Sequence, residues 1–465
     1  MPDSTPEAPT RRRRIPRWGI VLIVVVGLFL ALLLLNVGMR FRYAWLAEAE
    51  LDAVRKEGFP VTSNELNAWY SAVPEIENAA PAYLQALDRI EMPLQKEVGN
   101  LPIFGGIEYS RPLPAEMRKA VSGYLARNKE GLALLLRDHG LKRCRYPIDF
   151  KNGPDATDYH LDRIWDAARL LRLATLWHNE NGQEESGAAT VAAGLRLARS
   201  LEQEPTLYSQ RTRMGCVGMS LDDLEEVLSG AELPAVTLEL LAARLDQTSI
   251  SEGLFRGLVC SRCLTLDLFR AIGRGVVPAE KYFPQPPPSI SGSFPPYVSQ
   301  FAFFIYRKSW DIERDRLTYL RLMRDHTNAW RLPPRPRIQA EQDIIRRIDK
   351  LPSACLLSKH IAIVRDIHTA DMRTSSTLRA AQAALAVERF RTARGRLPVT
   401  LDELVPDFMP APPSDPFTGT PMLYKKLVPK GYVIYSVGKN GKDDGGDDYR
   451  SSGTGGDDLG FKVKR

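Results

Sequence analysis

The sequence predicts a mainly α-helical protein with one transmembrane helix, a helical body and a small α+β module at its carboxyl end. Three observations lead to this fold class. Residues Gly19–Leu35 form an unbroken apolar run, residues 64–394 place apolar side chains mostly at helical spacing, and strand-like segments occur only near the carboxyl terminus. A chain of 465 residues that is 44% hydrophobic is long enough for two or three domains beyond a membrane segment.

The apolar run predicts a transmembrane helix over residues 18–39. At 1.5 Å per residue this helix reaches about 33 Å, enough to cross a hydrocarbon core of roughly 30 Å. Five arginines precede it, at positions 11–14 and 17, and only Arg40 and Arg42 follow closely. The positive-inside rule therefore places a tail of residues 1–17 in the cytoplasm and the bulk of the chain outside it.

A cleaved signal peptide is the alternative interpretation of the same run. The run is longer than the usual apolar region of a signal peptide, and the Ala-x-Ala sequence Ala47-Glu48-Ala49 lies far beyond its end. We therefore expect an uncleaved single-pass anchor.

The net charge of +7 does not indicate a nucleic-acid partner, because the arginines before the anchor supply much of it. Five scattered cysteines do not make a disulfide framework. Cys260 and Cys263 form a C-x-x-C within one amphipathic helical segment, with no second pair to complete a zinc site, so we expect two packed residues.

Periodicity predicts a helical body over residues 40–276. Thr62 or Ser63 is expected to cap the first helix after Gly58, and Asn78 the next. Further helices are expected at 114–139, 158–179, 184–201, 207–229, 236–245 and 251–272. Helices 158–179 and 184–201 are joined by Asn181-Gly182, which predicts an antiparallel hairpin. This pattern resembles tetratricopeptide-type repeats, which implies a stack of helix pairs.

Proline separates the next segments. Residues 277–299 are expected to form a Pro-rich linker, and residues 300–370 a helical continuation with a break at 332–336. No phosphate loop, dinucleotide fingerprint or G-x-S-x-G elbow occurs. Asp158 and His160 are expected to belong to a helix start instead of a metal site, and the acidic run at 222–226 to a solvated helix face.

Residues 371–465 are expected to form the carboxyl-terminal module. A helix should end at Gly395, a short helix should hold Leu401 and Leu404, and two strands should follow near 422–425 and 432–437. The residues G-R-L-P, L-D-E-L-V-P, D-P-F-T-G-T-P and G-Y-V-I-Y-S-V-G, followed by an Asp-rich glycine loop, resemble the carboxyl-terminal region of type II secretion protein G, the major pseudopilin.

This resemblance covers about the last 85 residues and implies a pseudopilin-like α+β fold with a calcium site in the terminal loop. The matching positions are Asn440, Asp447 and Asp448, with the carbonyls of Val437 and Lys442. Asp443 adds a further acidic side chain, whereas Asn440 stands where the family usually has aspartate.

The whole chain also resembles uncharacterised membrane-anchored bacterial proteins, which implies a location in the inner membrane with the bulk in the periplasm. The membrane run carries no glutamate and lies over 300 residues from the module, so assembly into a pseudopilus is not what the resemblance implies. We expect a membrane-anchored scaffold or binding protein, with envelope or secretion proteins as partners and no catalysis implied. A periplasmic hydrolase acting on envelope material and a component of a type II secretion pseudopilus are the alternatives.

Overall fold

The computed structural model describes residues 17–105, 112–156, 159–276, 303–352, 364, 366–428, 430–447 and 456–465. Within these ranges the protein is mainly helical, with a single small sheet. The helices are α1 (Arg17–Lys56), α2 (Ser63–Trp69), α3 (Ala80–Asp88), α4 (Gln95–Val98), α5 (Pro102–Gly105), α6 (Ala115–Arg127), α7 (Lys129–Leu136), α8 (His160–Glu180), α9 (Glu184–Arg199), α10 (Leu207–Gly230), α11 (Ala235–Asp246), α12 (Ser251–Arg274), α13 (Asp311–Ala329), α14 (Pro334–Asp349) and α15 (Ile367–Arg394). Short 3₁₀ helices lie at Glu75–Glu77, Phe150–Asp155 and Leu401–Leu404, and the strands are β1 (Leu423–Leu427), β2 (Gly431–Ser436) and β3 (Leu459–Lys464).

Helix α1 has an exposed half and a packed half. The helix is long and apolar enough to cross a membrane. The apolar side chains of its amino-terminal half are exposed. Its carboxyl-terminal half lies along α13, where Ala47 and Leu51 are fully buried beside Leu317 and Leu320. Glu50 adds an ion pair to Arg324 at 2.6 Å.

The helical body is a stack in which α8, α9 and α10 pack closely on one another. The predicted hairpin of α8 and α9 is present, and Gly182 has the positive φ of 66° that its turn requires. Thr62 caps α2 as expected, because its Oγ1 accepts a hydrogen bond from the Glu65 N–H at 3.1 Å. Asn78 is not the N-cap that was expected, since Ala79 holds that position, but its Oδ1 accepts from the Ala80 N–H at 3.1 Å.

The single helix expected over residues 114–139 is wrong, since the chain breaks it into α6 and α7 at Asn128. This side chain is fully buried. Its Oδ1 accepts from the Glu91 N–H at 2.8 Å and its Nδ2 donates to the Glu91 carbonyl at 3.3 Å. The helix is interrupted because Asn128 satisfies the backbone of a distant turn.

The expected break at 332–336 is shorter than the prolines suggested. Helix α14 begins at Pro334, where proline in the first turn removes no intrahelical hydrogen bond. Residues 303–308 are helical and precede α13. The expected Pro-rich linker at 277–299 lies outside the described residues.

The three strands form an antiparallel sheet in the order β1-β2-β3. The sequence predicted β1 and β2 but missed β3. Helix α15 ends at Gly395 with φ 70°, and its buried face packs on β2 and β3. Tyr432 joins the two elements, because its hydroxyl lies 3.0 Å from Glu388 Oε1 and 3.1 Å from the Ala384 carbonyl oxygen, the two acceptors that share its single proton.

The acidic run on α10 is not the solvated face that its charge suggested. Asp223 is buried and lies 3.6 Å from Arg172. Glu225 accepts from the Lys462 N–H of β3 at 3.0 Å. These carboxylates therefore attach the sheet and neighbouring helices to α10.

Candidate functional site

The acidic loop, residues 437–458, connects β2 to β3, and residues 448–455 within it lie outside the described residues. Its first residue is held by Asp415, a buried carboxylate from the D-P-F-T segment. Asp415 Oδ2 accepts from the Val437 N–H at 3.0 Å, while Oδ1 accepts from the Ser436 hydroxyl at 2.8 Å. Asp415 therefore fixes where β2 ends and the acidic loop begins.

Asn440 and Lys442, two of the expected calcium ligands, form a local turn. Asn440 Oδ1 accepts from the Lys442 N–H at 2.8 Å, and its Nδ2 donates to Asp444 Oδ2 at 2.9 Å. The amide thus supports the Asp444 carboxylate, whose pKa is lowered by this hydrogen bond first and by the Asp457 N–H second.

Asp443 faces the sheet. Its Oδ1 accepts from the Tyr435 hydroxyl and from the Gly445 N–H, both at 2.9 Å. Asp447 is exposed, and Asp448 lies outside the described residues. The structure therefore gathers Asn440, Lys442 and Asp443 in one turn without bringing Asp447 into contact with them.

Asp458 is a buried carboxylate of the acidic loop that the sequence analysis missed. Its Oδ2 accepts from the backbone N–H groups of Asp444 at 3.0 Å and Gly446 at 2.8 Å. Its Oδ1 is buried and has no hydrogen-bond partner in the part of the chain that the structure describes. Burial, reinforced by the carboxylates of Asp444 and Asp443, raises the pKa of Asp458 to about 6.

A sequence signal could have identified this residue. The tetrapeptide Gly-Gly-Asp-Asp occurs twice, at 445–448 and at 455–458, and Asp458 ends the second copy. Without a predicted β3, nothing placed the second copy next to the first.

The acidic loop offers the type of ligand atom that a hard cation prefers, but few of these atoms converge on one point. All its candidate ligands are oxygens, and an orphaned buried carboxylate oxygen is the kind of atom that a cation would satisfy. Among the described residues, however, no group of three or more His, Cys, Asp or Glu side chains converges as a metal site would require. Asp443, Asp444 and Asp458 instead each accept a hydrogen bond from a backbone N–H of the acidic loop.

The C-x-x-C pair lies inside α12, and both thiols are buried. The Cys263 thiol donates a hydrogen bond to the Pro60 carbonyl oxygen, which lies 3.1 Å from Sγ. Burial raises the pKa of Cys263 to about 12, which disfavours the thiolate that redox chemistry needs. The pair packs α12 against the segment that follows α1.

His160 begins α8 and is buried against Tyr146, with the two rings stacked at 4.1 Å. Its Nε2 lies 2.8 Å from Glu204 Oε2. Asp158 lies outside the described residues. The histidine is therefore part of an internal polar contact between α8 and the start of α10.

A feature that sequence reasoning missed entirely is a cleft of about 220 Å³ between α3, the loop after α7, α9 and α11. Its lining is strongly cationic, and it is built from four segments that are far apart in sequence. No periodicity or motif links those segments, so only the fold brings them together.

No protein-family model matches this chain, and neither a curated protein nor a solved structure is significantly similar to it.

Proposed function

We propose that this chain is a single-pass membrane protein whose helical body is an extracytoplasmic scaffold or binding platform. The observation that carries the proposal is the continuity of α1, which joins an exposed apolar stretch to a half that is packed into the body. A helix of 40 residues extends about 60 Å, so the same rod crosses a bilayer and continues into the folded part.

Contacts near the middle of α1 support a membrane surface near the end of the apolar stretch. Asn36 Nδ2 donates to the Lys308 carbonyl at 3.2 Å, which brings residues 303–308 beside the end of the apolar stretch. Large apolar side chains around this level are exposed, namely Phe41, Trp45, Phe304 and Ile305. Aromatic and aliphatic side chains of this kind suit the interfacial region of a bilayer.

Packing of α1 also favours an anchor over a cleaved signal peptide. Cleavage after the Ala47-Glu48-Ala49 sequence would cut within a helix and remove Ala47, which is fully buried against α13. Glu48 pairs with Arg316 at 3.4 Å on the same face. A protease would have to open this packed helix to reach the bond.

The orientation is tested with reporter fusions after Leu51. Alkaline phosphatase fused there should be active outside the cytoplasm, and a cytoplasmic reporter at the same place should be silent. Replacing the five arginines before the span by glutamine should weaken this orientation, whereas lysine replacements should preserve it because they keep the charge. The reverse activity pattern would refute the orientation, and a mature amino terminus near Glu50 would refute the anchor.

The carboxyl-terminal module supplies the second part of the proposal, calcium binding by the acidic loop of a protein G-like fold. Its support is the orphaned Asp458 Oδ1 beside a turn rich in carboxylates. Calcium takes six to eight oxygen ligands at roughly 2.3–2.6 Å and tolerates irregular geometry, which suits such a loop better than magnesium does. Asn440, Asp443, Asp447 and Asp448 would act with the carbonyls of Val437 and Lys442.

Calorimetry on the full chain tests this part. Calcium should bind near one equivalent and raise the melting temperature, and Asp447→Ala with Asp448→Ala should abolish both effects. Glu185→Ala with Glu239→Ala is the matched control, because it removes two exposed carboxylates from helices outside the acidic loop. No heat and no thermal shift at millimolar calcium would reject the calcium site.

A further inference from the structure

The basic cleft is the 220 Å³ hollow between α3, the loop at 137–144, α9 and α11. Six cationic side chains line it: Arg137, Lys142, Arg143, Arg196, Arg199 and Arg244. Asp138 is the single carboxylate among its lining residues. Such an imbalance within one small concave surface produces a strongly positive local potential.

Three of these cations are already compensated. Arg244 forms an ion pair with Asp138. Arg143 lies 3.2 Å from Glu77, and Arg199 Nε lies 3.6 Å from Glu202. The other three cations form no ion pair within 4 Å in the described ranges, although the Asp138 carboxylate acts on Arg196 from a longer distance.

Arg137, Lys142 and Arg196 have no carboxylate within 4 Å in the described ranges. Arg196 instead donates to the Leu136 carbonyl at 2.9 Å, a contact that orders its guanidinium but does not neutralise it. Burial lowers the pKa of Arg196, which reflects the cost of keeping this charge away from water. A partly buried charge of this kind is stabilised when an anion approaches it.

We propose that the basic cleft binds the phosphate group of a small phosphorylated molecule. Arginine presents a planar fork of donors that matches phosphate oxygens, and a dianionic phosphate offsets more of the uncompensated charge than a single carboxylate would. Tyr83 also lines the basic cleft. Burial raises the pKa of Tyr83 to about 12, so its hydroxyl stays protonated and able to donate a hydrogen bond.

A neighbouring hollow of about 390 Å³ gives room for the rest of such a ligand. It shares Lys142 and Arg143 with the basic cleft and is also lined by Trp69 and Arg256. The indole is only partly buried, so it offers a flat apolar surface beside the cationic residues. The two hollows together fit a molecule with an anionic end and a less polar end.

The test uses the full chain in nanodiscs of zwitterionic phosphatidylcholine, with inorganic phosphate and pyrophosphate as probes in titration calorimetry. The variant Arg137→Gln with Lys142→Gln removes two exposed charges from the rim of the basic cleft. The control Lys129→Gln with Arg373→Gln removes two exposed, unpaired charges from α7 and α15 outside it. Both variants therefore change the net charge equally.

We expect saturable binding of pyrophosphate to the unaltered protein and to the control, weakening as salt is added. The rim variant should bind at least about tenfold more weakly, the equivalent of losing one charge-assisted hydrogen bond. Absence of saturable binding at millimolar probe, or equal weakening in both variants, would overturn the proposal. Nanodiscs that contain phosphatidylglycerol distinguish the two possible sources of the phosphate group. If this lipid competes with pyrophosphate for the basic cleft, the ligand is a lipid headgroup. If it does not compete, the ligand is a free phosphorylated molecule.

This proposal does not depend on the orientation of α1. Binding by the purified protein would stand if the reporters reversed the topology, and an anchor with the expected orientation would stand if no phosphate bound.

Discussion

Two buried histidines are expected to make the helical body less stable as the pH falls from 7 to 5. His326 on α13 and His368 on α15 are both fully buried, with their rings stacked at 5.5 Å between centroids. Arg337 Nε donates to His368 Nδ1 at 2.9 Å, and His368 Nε2 lies 3.3 Å from His326 Nδ1. The arginine therefore fixes the proton of His368 on Nε2, from which it is donated to His326.

This hydrogen-bond chain explains why neither ring accepts a second proton. A proton on His368 Nδ1 would face the Arg337 N–H, and a proton on His326 Nδ1 would face the His368 N–H. Burial lowers the pKa of His326 to about 4, and burial together with the Arg337 charge lowers that of His368 to about 2. The ordinary value, which the unfolded chain recovers, is 6.5.

The direction of the effect follows from these values. Below pH 6.5 the unfolded state binds protons that the folded state does not, so stability is lost as the pH falls. Each histidine contributes a loss of about 2 kcal/mol between pH 7 and pH 5. Asp458 acts in the opposite direction by about 1 kcal/mol, since its raised pKa lets the folded state take up a proton first.

The charged groups around the histidines do not reverse this balance. Arg337 pairs with Asp371 at 2.9 Å, and Arg347 pairs with Asp325 at 2.5 Å. Burial raises the pKa values of Asp371 and Glu341, so these groups also oppose the histidines. The two histidines together cost about 4 kcal/mol and Asp458 alone offsets about 1 kcal/mol, so the expected loss is at most about 3 kcal/mol, a sizeable part of the 5–15 kcal/mol typical of a folded protein.

Chemical unfolding of the full chain in nanodiscs, followed by far-ultraviolet circular dichroism at pH 7 and pH 5, measures this loss. The variant His326→Met removes one titrating ring and should recover about 2 kcal/mol of the pH-dependent loss. His178→Gln is the control, because it also replaces one histidine but lies on α8, bonded to Gln183 and away from the His326–His368 pair. A stability that is flat between the two pH values would refute the reasoning, as would equal losses in the protein and in His326→Met.

Three further substitutions test the packing of the body by the same unfolding measurement at pH 7. Asn128→Ala should cost roughly 1–3 kcal/mol, because it removes two partly buried hydrogen bonds to the backbone of Glu91. An unchanged free energy of unfolding would show that the break between α6 and α7 does not depend on this side chain. On α10, a Cβ at Gly215 would lie 2.3 Å from the Trp165 ring, whereas Gly218 has open space. Gly215→Ala should therefore destabilise by roughly 1–3 kcal/mol, and Gly218→Ala should stabilise by up to about 1 kcal/mol; equal effects would contradict the close contact.

Local signals predicted the helices well because each depends on residues near in sequence. The spacing of apolar residues predicted α8 to α12. Gly182 and Gly395, which were predicted to lie at a turn and at a helix end, both have a positive φ. The Thr62 cap is equally local, since its partner is the N–H three residues later. In each case the residue type and its neighbours determine the backbone conformation.

Long-range partners explain what the sequence could not predict. Asn128 interrupts a helix because of Glu91, 37 positions away. The sequence around Asp223 and Glu225 is typical of a solvated helix face, but in the fold α8 and β3 pack against these side chains. The basic cleft is lined by four segments that are distant in sequence. Asp458 is buried because β3 lies in the sheet.

Strand β3 connects the acidic loop to the helical body. At its start, Asp458 accepts two backbone N–H groups of the acidic loop. At its end, Arg465 donates to the Leu228 carbonyl at 2.6 Å and pairs with Glu388 at 2.9 Å, which joins α10 and α15. Because α15 also packs on α11, residues 371–465 share buried surface with the body. A cation that orders the acidic loop would consequently stabilise contacts of α10 as well, which is why its binding is measured on the full chain.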